Sequence, residues 1–149
     1  MKKILMTLLL SCAIGGYSWA QDAAKPSAAD IQAHNLAISK ALAAATPVKT
    51  AVEEFRRHSG RLPSTNADVG MNPPATYGNY DVKQIAVGND GVIEITLTAS
   101  SGVDDGIIRL TPKPSPIKDE NSLEWTCASA SFSTISDATG GVCEYTNQP

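Results

Sequence analysis

The chain has 149 residues, with 12 Lys or Arg against 15 Asp or Glu, so its formal net charge at pH 7 is −3. This length fits one domain with a modest hydrophobic core and is too short for two. The slight excess of acidic residues argues against a protein built to bind nucleic acid.

The first 20 residues have the pattern of a secretory signal peptide. Two lysines precede an apolar run over residues 4–14, and Ser18-Trp19-Ala20 places small residues at the last and third-last positions of the pattern. We therefore predict cleavage after Ala20 and a periplasmic or extracellular chain without a transmembrane segment. Loss of the two lysines leaves 10 basic against 15 acidic residues, a net charge of −5.

A lipoprotein signal is the alternative interpretation of the same segment. Leu9-Leu10-Ser11-Cys12 would then be the processing site, with Cys12 acylated and held at a membrane. The apolar run continues beyond Cys12 and few apolar residues precede it, which favours the secretory signal.

A long amphipathic helix is predicted after a flexible leader over residues 21–29, at the start of a globular domain over 30–149. Asp30 is the expected N-cap, and Gly60 is the expected end. Pro47 lies inside the helical pattern, where it removes one backbone hydrogen bond and should bend the helix. Steps of three or four residues place the following apolar side chains on one face: Ile38, Leu42, Ala45, Val48, Val52 and Phe55.

An ordered loop is predicted over residues 61–80, because prolines and glycines interrupt it while Met71, Tyr77 and Tyr80 give it apolar groups to bury. Strands are expected at 82–87, 92–99, 107–111 and 123–128, with turns at Asn89-Asp90-Gly91 and Asp104-Asp105-Gly106. Prolines 112, 114 and 116 are expected to end the third strand. The pattern predicts an α+β fold in which the helix packs on an antiparallel sheet of about four strands.

Two cysteines, Cys127 and Cys143, remain after the predicted cleavage, and in an oxidising compartment such a pair is expected to form a disulfide. The segment between them is rich in small polar residues. A closed loop of this kind can present groups to a partner at little ordering cost, although a purely structural lid over the sheet edge is an equal alternative. The candidate partner-binding residues are Ser129, Ser131, Phe132, Ser133, Thr134, Asp137 and Thr139.

The order of these features resembles the head domain of type IV pilins, in particular the type IVa kind. Residues 41–54, with the proline and Lys-Thr-x-Val-Glu-Glu, are similar to the second half of the pilin spine helix, and residues 60–67 to the start of the αβ-loop. Residues 91–98 and 107–112 resemble two neighbouring pilin strands. Trp125-Thr126-Cys127 with Cys143 resembles the Trp-x-Cys that opens the disulfide-bounded C-terminal loop. The resemblance covers about residues 33–145.

The resemblance implies a non-catalytic protein that acts through protein contacts in type IV pilus biogenesis, pilus function or adhesion. Its expected partners are pilus subunits, pilus assembly proteins or a surface receptor. Pilins carry a short basic leader and a long apolar N-terminal helix, which residues 1–30 do not match. We therefore expect a pilin head without the polymerisation segment. The alternative is an exported binding module for a glycan, a peptide or DNA that is unconnected with a filament.

No catalytic, metal or cofactor site is predicted. His34 and His58 are 24 positions apart and neither has other ligand-type residues at metal-binding spacing, while no Gly-x-Ser-x-Gly turn or phosphate-binding glycine loop is present. Glu53 and Glu54 are adjacent on a helix and point about 100° apart, so we interpret them as solvated charges. A weak basic patch is expected at the helix end, formed by Arg56, Arg57, His58 and Arg61. The lack of interleaved aromatic residues argues against nucleic-acid binding there.

Overall fold

The computed structural model describes residues 25–115 and 122–147, and these form the α+β fold that the sequence predicts. A long bent helix consists of α1 (Ala28–Ala44) and α2 (Thr46–Ser59), and it packs on a five-stranded sheet. The predicted signal peptide, Cys12 and residues 21–24 of the predicted leader lie outside the described residues.

The helix begins at a capping box built from Ser27 and Asp30. The Ser27 hydroxyl accepts a hydrogen bond from the Asp30 N–H (3.2 Å), and the Asp30 carboxylate accepts from the Ser27 N–H (2.9 Å). The prediction that Asp30 is the N-cap is therefore wrong. Two alanines, which favour helix, follow Ser27, so the helix starts one turn earlier and Asp30 occupies the third helical position.

The bend predicted near Pro47 is confirmed. α1 ends at Ala44 and α2 starts at Thr46, with Pro47 in the first turn of α2, where a missing N–H costs no internal hydrogen bond. Gly60 ends the helix in the left-handed conformation, with φ of 71°, as expected. The break leaves one continuous buried face running along both halves.

The core lies between this face and the sheet. Ala41, Ala45, Val48 and Val52 are completely buried, whereas Leu42 and Phe55 are only partly buried. The fully buried side chains that meet the helix from the strands are Ile85, Ile93, Ile95, Leu97 and Ile108.

The strands are β1 (Val82–Val87), β2 (Ile93–Leu97), β3 (Ile107–Pro114), β4 (Leu123–Ser129) and β5 (Cys143–Tyr145), and they lie in this order across the sheet. The first four are antiparallel, as predicted, and β5 runs parallel to β4. The expected four strands become five because β5 has only three residues, too few to show alternation in the sequence. Its pairing of Cys127 with Cys143 coincides with the disulfide that joins them.

β3 continues through Pro112 and Pro114, contrary to the prediction that these prolines end it. β2 pairs only with residues 107–110 of β3, whereas β4 pairs with β3 as far as Pro114. Beyond residue 110 one side of β3 has no strand partner among the residues that the structure describes, so a proline there removes no ladder hydrogen bond on that side. Pro116 lies outside the described residues.

The loop over residues 61–80 is ordered and covers the outer edge of β1. The Asn66 amide donates to the carbonyls of Asn72 (3.0 Å) and Ile85 (3.1 Å), and its oxygen accepts from the Val87 N–H (2.6 Å). Asn66 is buried, with 6% of its surface exposed. Asn66 therefore takes the place of a further strand along the second half of β1.

Met71 and Tyr77 pack against the core as predicted, but Tyr80 is 83% exposed, so its predicted burial is wrong. Hydrogen bonds hold this part of the loop instead. The Thr98 hydroxyl donates to the Tyr80 carbonyl (2.7 Å), and the Asn79 side-chain oxygen accepts from the N–H of Asp81 and of Val82. Because the backbone is fixed by these contacts, the ring is not needed as an anchor.

Candidate partner-binding surface

The disulfide closes the C-terminal segment over the end of β4. Cys127 and Cys143 are 16 positions apart, and their Cα atoms are 4.5 Å apart on the paired strands β4 and β5. Between them lies a one-turn helix, α3 (Ile135–Ala138), which the sequence analysis did not predict. Ile135 is completely buried, so α3 is held by an apolar contact with the core.

Four of the seven candidate residues hold this segment in place. Phe132 is buried in the core, and Ser129 donates to the Ile107 carbonyl (2.5 Å) while the Ser131 hydroxyl accepts from the Ile107 N–H (3.0 Å). The Thr139 hydroxyl donates to the Ile135 carbonyl (2.7 Å) and accepts from the Cys143 N–H (3.0 Å). These side chains face the fold and shape the segment.

The other three, Ser133, Thr134 and Asp137, are exposed. Ser133 and Thr134 line a groove of about 290 Å³ between the segment and the start of α1, where Ile31 and Val103 are also partly exposed. A partner that contacts the segment here would meet α1 at the same time. The structure thus divides the predicted residues into an inner set that anchors and an outer set available for contact.

Phe132 also links the segment to the turn before β3. A side chain added at Gly106 would place its Cβ 2.3 Å from the Phe132 ring, so only glycine fits beneath the ring. The position of Ser133 and Thr134 depends on this contact, because both follow Phe132 directly.

The predicted basic patch lies at the C-terminal end of α2, where positive charge suits the helix dipole. Arg61 does not extend freely: its guanidinium lies over the Phe55 ring (4.8 Å) and 3.9 Å from the Asp68 carboxylate. Arg56 is partly buried, whereas Arg57 and His58 are exposed. Asp68 therefore offsets part of the positive charge of this cluster.

The shifted pKa values belong to surface contacts. A backbone hydrogen bond from Ser64 lowers the pKa of Asp68. Lys83 lies 2.8 Å from both Asp104 and Asp105; hydrogen bonds to these carboxylates raise the pKa of Lys83, and its ammonium lowers that of Asp104. This exposed triad joins β1 to the turn that precedes β3.

The two histidines lie on different parts of the helix and do not approach each other as metal ligands. Among residues 25–115 and 122–147, no group of three or more His, Cys, Asp or Glu could hold a metal ion. The His34 ring packs against Gly102, and the His58 ring contacts the Glu54 carbonyl (2.8 Å). The His58 contact lies within one turn of α2, whereas the His34 contact joins α1 to the turn that follows β2.

Glu53 has a partner that the sequence analysis missed. Its carboxylate accepts a hydrogen bond from the Trp125 indole N–H (2.8 Å), while the Lys49 ammonium lies 5.2 Å from the centre of the same ring. Glu53 is partly buried and Glu54 exposed, so the description of solvated charges holds for Glu54 alone. No local sequence pattern indicates that Glu53 and Trp125 are in contact, because the two residues are 72 positions apart.

No helix within the described parts of the chain is long and apolar enough to cross a membrane. In sequence comparison, the family model for pilin, a bacterial filament protein, matches residues 37–140, which is more than half of the chain. No curated protein matches the chain.

Proposed function

The chain belongs to the pilin family, and from this premise we propose that it acts without catalysis, through protein contacts in type IV pilus biogenesis, pilus function or adhesion. Membership of this structural family gives it a pilin-like or pilus-related role and an extracellular or pilus-associated location. Its proposed partners are pilus subunits or pilus assembly proteins, with a surface receptor as the alternative.

The observation that carries the proposal is the agreement between the family match and the fold. The matched residues include most of the bent helix, the four antiparallel strands and most of the disulfide-closed segment. Members of a structural family act through their surfaces and need no catalytic side chains. The proposal therefore depends on a contact surface.

We place that surface at Ser133, Thr134 and Asp137. These side chains are exposed on a segment whose backbone is already fixed by the disulfide, by Phe132 and by Ile135. A surface that is rigid before binding loses little conformational entropy when a partner docks.

We further propose that cleavage after Ala20 makes Gln21 the first residue of the mature chain. Its contacts with the pilus would then be made through the globular domain over residues 30–149. Mass spectrometry of the purified mature protein tests this cleavage. Acylated Cys12, or a retained hydrophobic segment, would contradict it.

Co-purification tests the proposed role. The protein is isolated under mild conditions from cells that express a type IV pilus, and co-purifying subunits or assembly proteins are identified by mass spectrometry. Thr134→Arg should reduce their recovery at least tenfold, because a long charged side chain blocks the surface. Thr76→Arg is the matched control, since Thr76 is also an exposed threonine but lies in the 61–80 loop.

Recovery of pilus components with the wild type and with Thr76→Arg, but not with Thr134→Arg, would support both the role and the surface. Equal recovery with all three proteins would refute the surface while supporting the role. Absence of pilus components from the wild-type preparation would contradict the role itself.

A further inference from the structure

A second groove lies on the other side of His34, between α1, the end of the 61–80 loop and the 3-10 turn at Ala99–Ser101. Its volume is about 240 Å³. The wall contains two large apolar side chains that the fold leaves exposed: Tyr80, at 83%, and Leu36, at 56%. Packing within the described part of the chain does not account for either side chain, because each keeps most of its surface in solvent.

The polar groups of this groove form a connected set. The Asp81 carboxylate accepts from the Ser100 hydroxyl (2.9 Å) with one oxygen, and its other oxygen lies 3.4 Å from the Lys40 ammonium. Asp81 is buried, whereas the Lys40 side chain is 58% exposed. The opposite charges of Asp81 and Lys40 cancel, so the groove offers donors and acceptors without a net charge.

Hydrogen bonds fix the backbone that carries the Tyr80 ring. The Thr98 hydroxyl binds the Tyr80 carbonyl (2.7 Å) and also contacts the Ser100 hydroxyl (2.9 Å), and the Asn79 side chain binds the N–H of Asp81. Tyr80 and Ser100 are therefore held relative to each other by Thr98. An aromatic ring displayed beside ordered polar groups needs little rearrangement to bind a ligand.

We propose that this groove binds a neutral saccharide, with one pyranose ring lying against Tyr80. A pyranose has an apolar face of C–H groups, which suits an aromatic ring, and hydroxyls that both donate and accept, which suit Lys40, Asp81 and Ser100. Because the charges of Lys40 and Asp81 cancel, the groove disfavours an ionic ligand. The volume is below the usual range of about 300–1,000 Å³ for drug-sized ligands, which fits one ring of a sugar.

The inference goes beyond the proposed pilus role and does not depend on it, because the groove is separate from Ser133, Thr134 and Asp137. The test uses the protein purified from cells that express the complete sequence, labelled with ¹⁵N. Methyl β-glucoside, methyl β-galactoside and N-acetylglucosamine are titrated to 50 mM, and amide shifts are followed by NMR. We expect a millimolar Kd for at least one sugar, with shifts confined to residues around Leu36, Lys40, 79–81 and 98–101.

Tyr80→Ala should weaken binding of that sugar at least tenfold, and Tyr80→Trp should preserve it because the aromatic face remains. Tyr145→Ala is the matched control: Tyr145 is also an exposed tyrosine, but it lies on β5, and its loss should leave the Kd unchanged. The amide spectrum shows whether each variant is folded.

Three results would overturn the proposal: no shifts with any of the three sugars, unchanged affinity in folded Tyr80→Ala, or shifts that lie elsewhere on the protein. Shifts of the groove residues with the neutral peptide acetyl-leucine amide but with none of the sugars would also overturn it, and would identify a peptide site instead.

Discussion

Asn66 makes three hydrogen bonds with one buried side chain, and it connects the 61–80 loop to β1. We predict that Asn66→Ala lowers the free energy of unfolding by about 2 kcal/mol, because the Val87 N–H and the Ile85 carbonyl lose their partner. Urea unfolding followed by circular dichroism measures the change. Asn72→Ala is the control: Asn72 is exposed and its carbonyl contact with Asn66 is retained, so a change below about 0.5 kcal/mol is expected. Equal losses in both variants would contradict the role of Asn66.

Trp125 and Glu53 join the sheet to α2 through one hydrogen bond between partly buried side chains. Trp125→Phe removes the donor and should destabilise the protein by about 1 kcal/mol, since the bond is charge-assisted but partly exposed to water. Glu53→Gln retains an acceptor and should cost less. Glu54→Gln, on the neighbouring exposed residue, serves as the reference and should match the wild type in the same urea titration. Unchanged stability of Trp125→Phe would show that the bond contributes nothing.

At the scale of elements, the start of α1 depends on the Ser27–Asp30 capping box. Hydrogen bonds from the Ser27 hydroxyl and N–H lower the pKa of Asp30 below its usual 3.8. Because the folded pKa is lowered, the contribution of Asp30 to stability is fully present above the unfolded pKa and is lost as the pH falls through the folded pKa.

We predict that Ser27→Ala raises the pKa of Asp30 toward 3.8, since the hydroxyl contact is removed. Titration of the Asp30 carboxyl carbon by NMR measures the midpoint. Ser39→Ala is a suitable control, because Ser39 lies on the same helix and its hydroxyl donates to the Asn35 carbonyl (3.0 Å) rather than to Asp30. Identical Asp30 midpoints in the wild type and in Ser27→Ala would refute the assignment.

The disulfide between Cys127 and Cys143 constrains the conformation of the C-terminal segment. Replacing both Cys127 and Cys143 by Ala should lower the free energy of unfolding by about 3 kcal/mol in non-reducing buffer, because the unfolded chain regains the freedom of a loop of this length. In the presence of a reductant that opens the bond, the wild type and the variant should have nearly equal melting temperatures. A difference that persists after reduction would assign the effect to packing rather than to the cross-link.

For the molecule as a whole, helix and sheet share one core, so they should unfold together. Buried residues from α1, α2 and all five strands form a single cluster. In a chain that begins at Gln21, Trp125 is the single tryptophan and reports on β4. Urea transitions followed by its fluorescence and by helical circular dichroism should therefore coincide. Separate midpoints would show that the bent helix detaches before the sheet unfolds.

Features set by local periodicity could be predicted from the sequence. They include the bounds of β1 and the buried face of the helix. The break at Pro47 could be predicted from the missing N–H of proline, and the pairing of Cys127 with Cys143 from the number of cysteines left after the predicted cleavage. β5 could not, since it is three residues long and depends on its position beside β4. The extension of β3 through two prolines depends on where β2 ends, which local sequence does not reveal.

The candidate site was predicted as one segment, and the structure separates its residues into anchors and exposed groups. Serines at 129, 131 and 133 look alike in the sequence, yet two of them bond to Ile107 and one is exposed. The groove at Tyr80 was missed because the ring was expected to be buried. Its polar partners, Lys40, Asp81 and Ser100, come together only when three distant parts of the chain meet.

The cover that Asn66 provides over the outer edge of β1 affects the tendency of the protein to aggregate at high concentration. Backbone groups on an uncovered outer strand act as a template on which another molecule can add a strand, and repeated addition leads to aggregates. On this side of the sheet the Ile85 carbonyl and the Val87 N–H are already occupied. On the opposite side β5 offers only three residues. Growth of a continuous intermolecular sheet requires two receptive edges, so this architecture disfavours it.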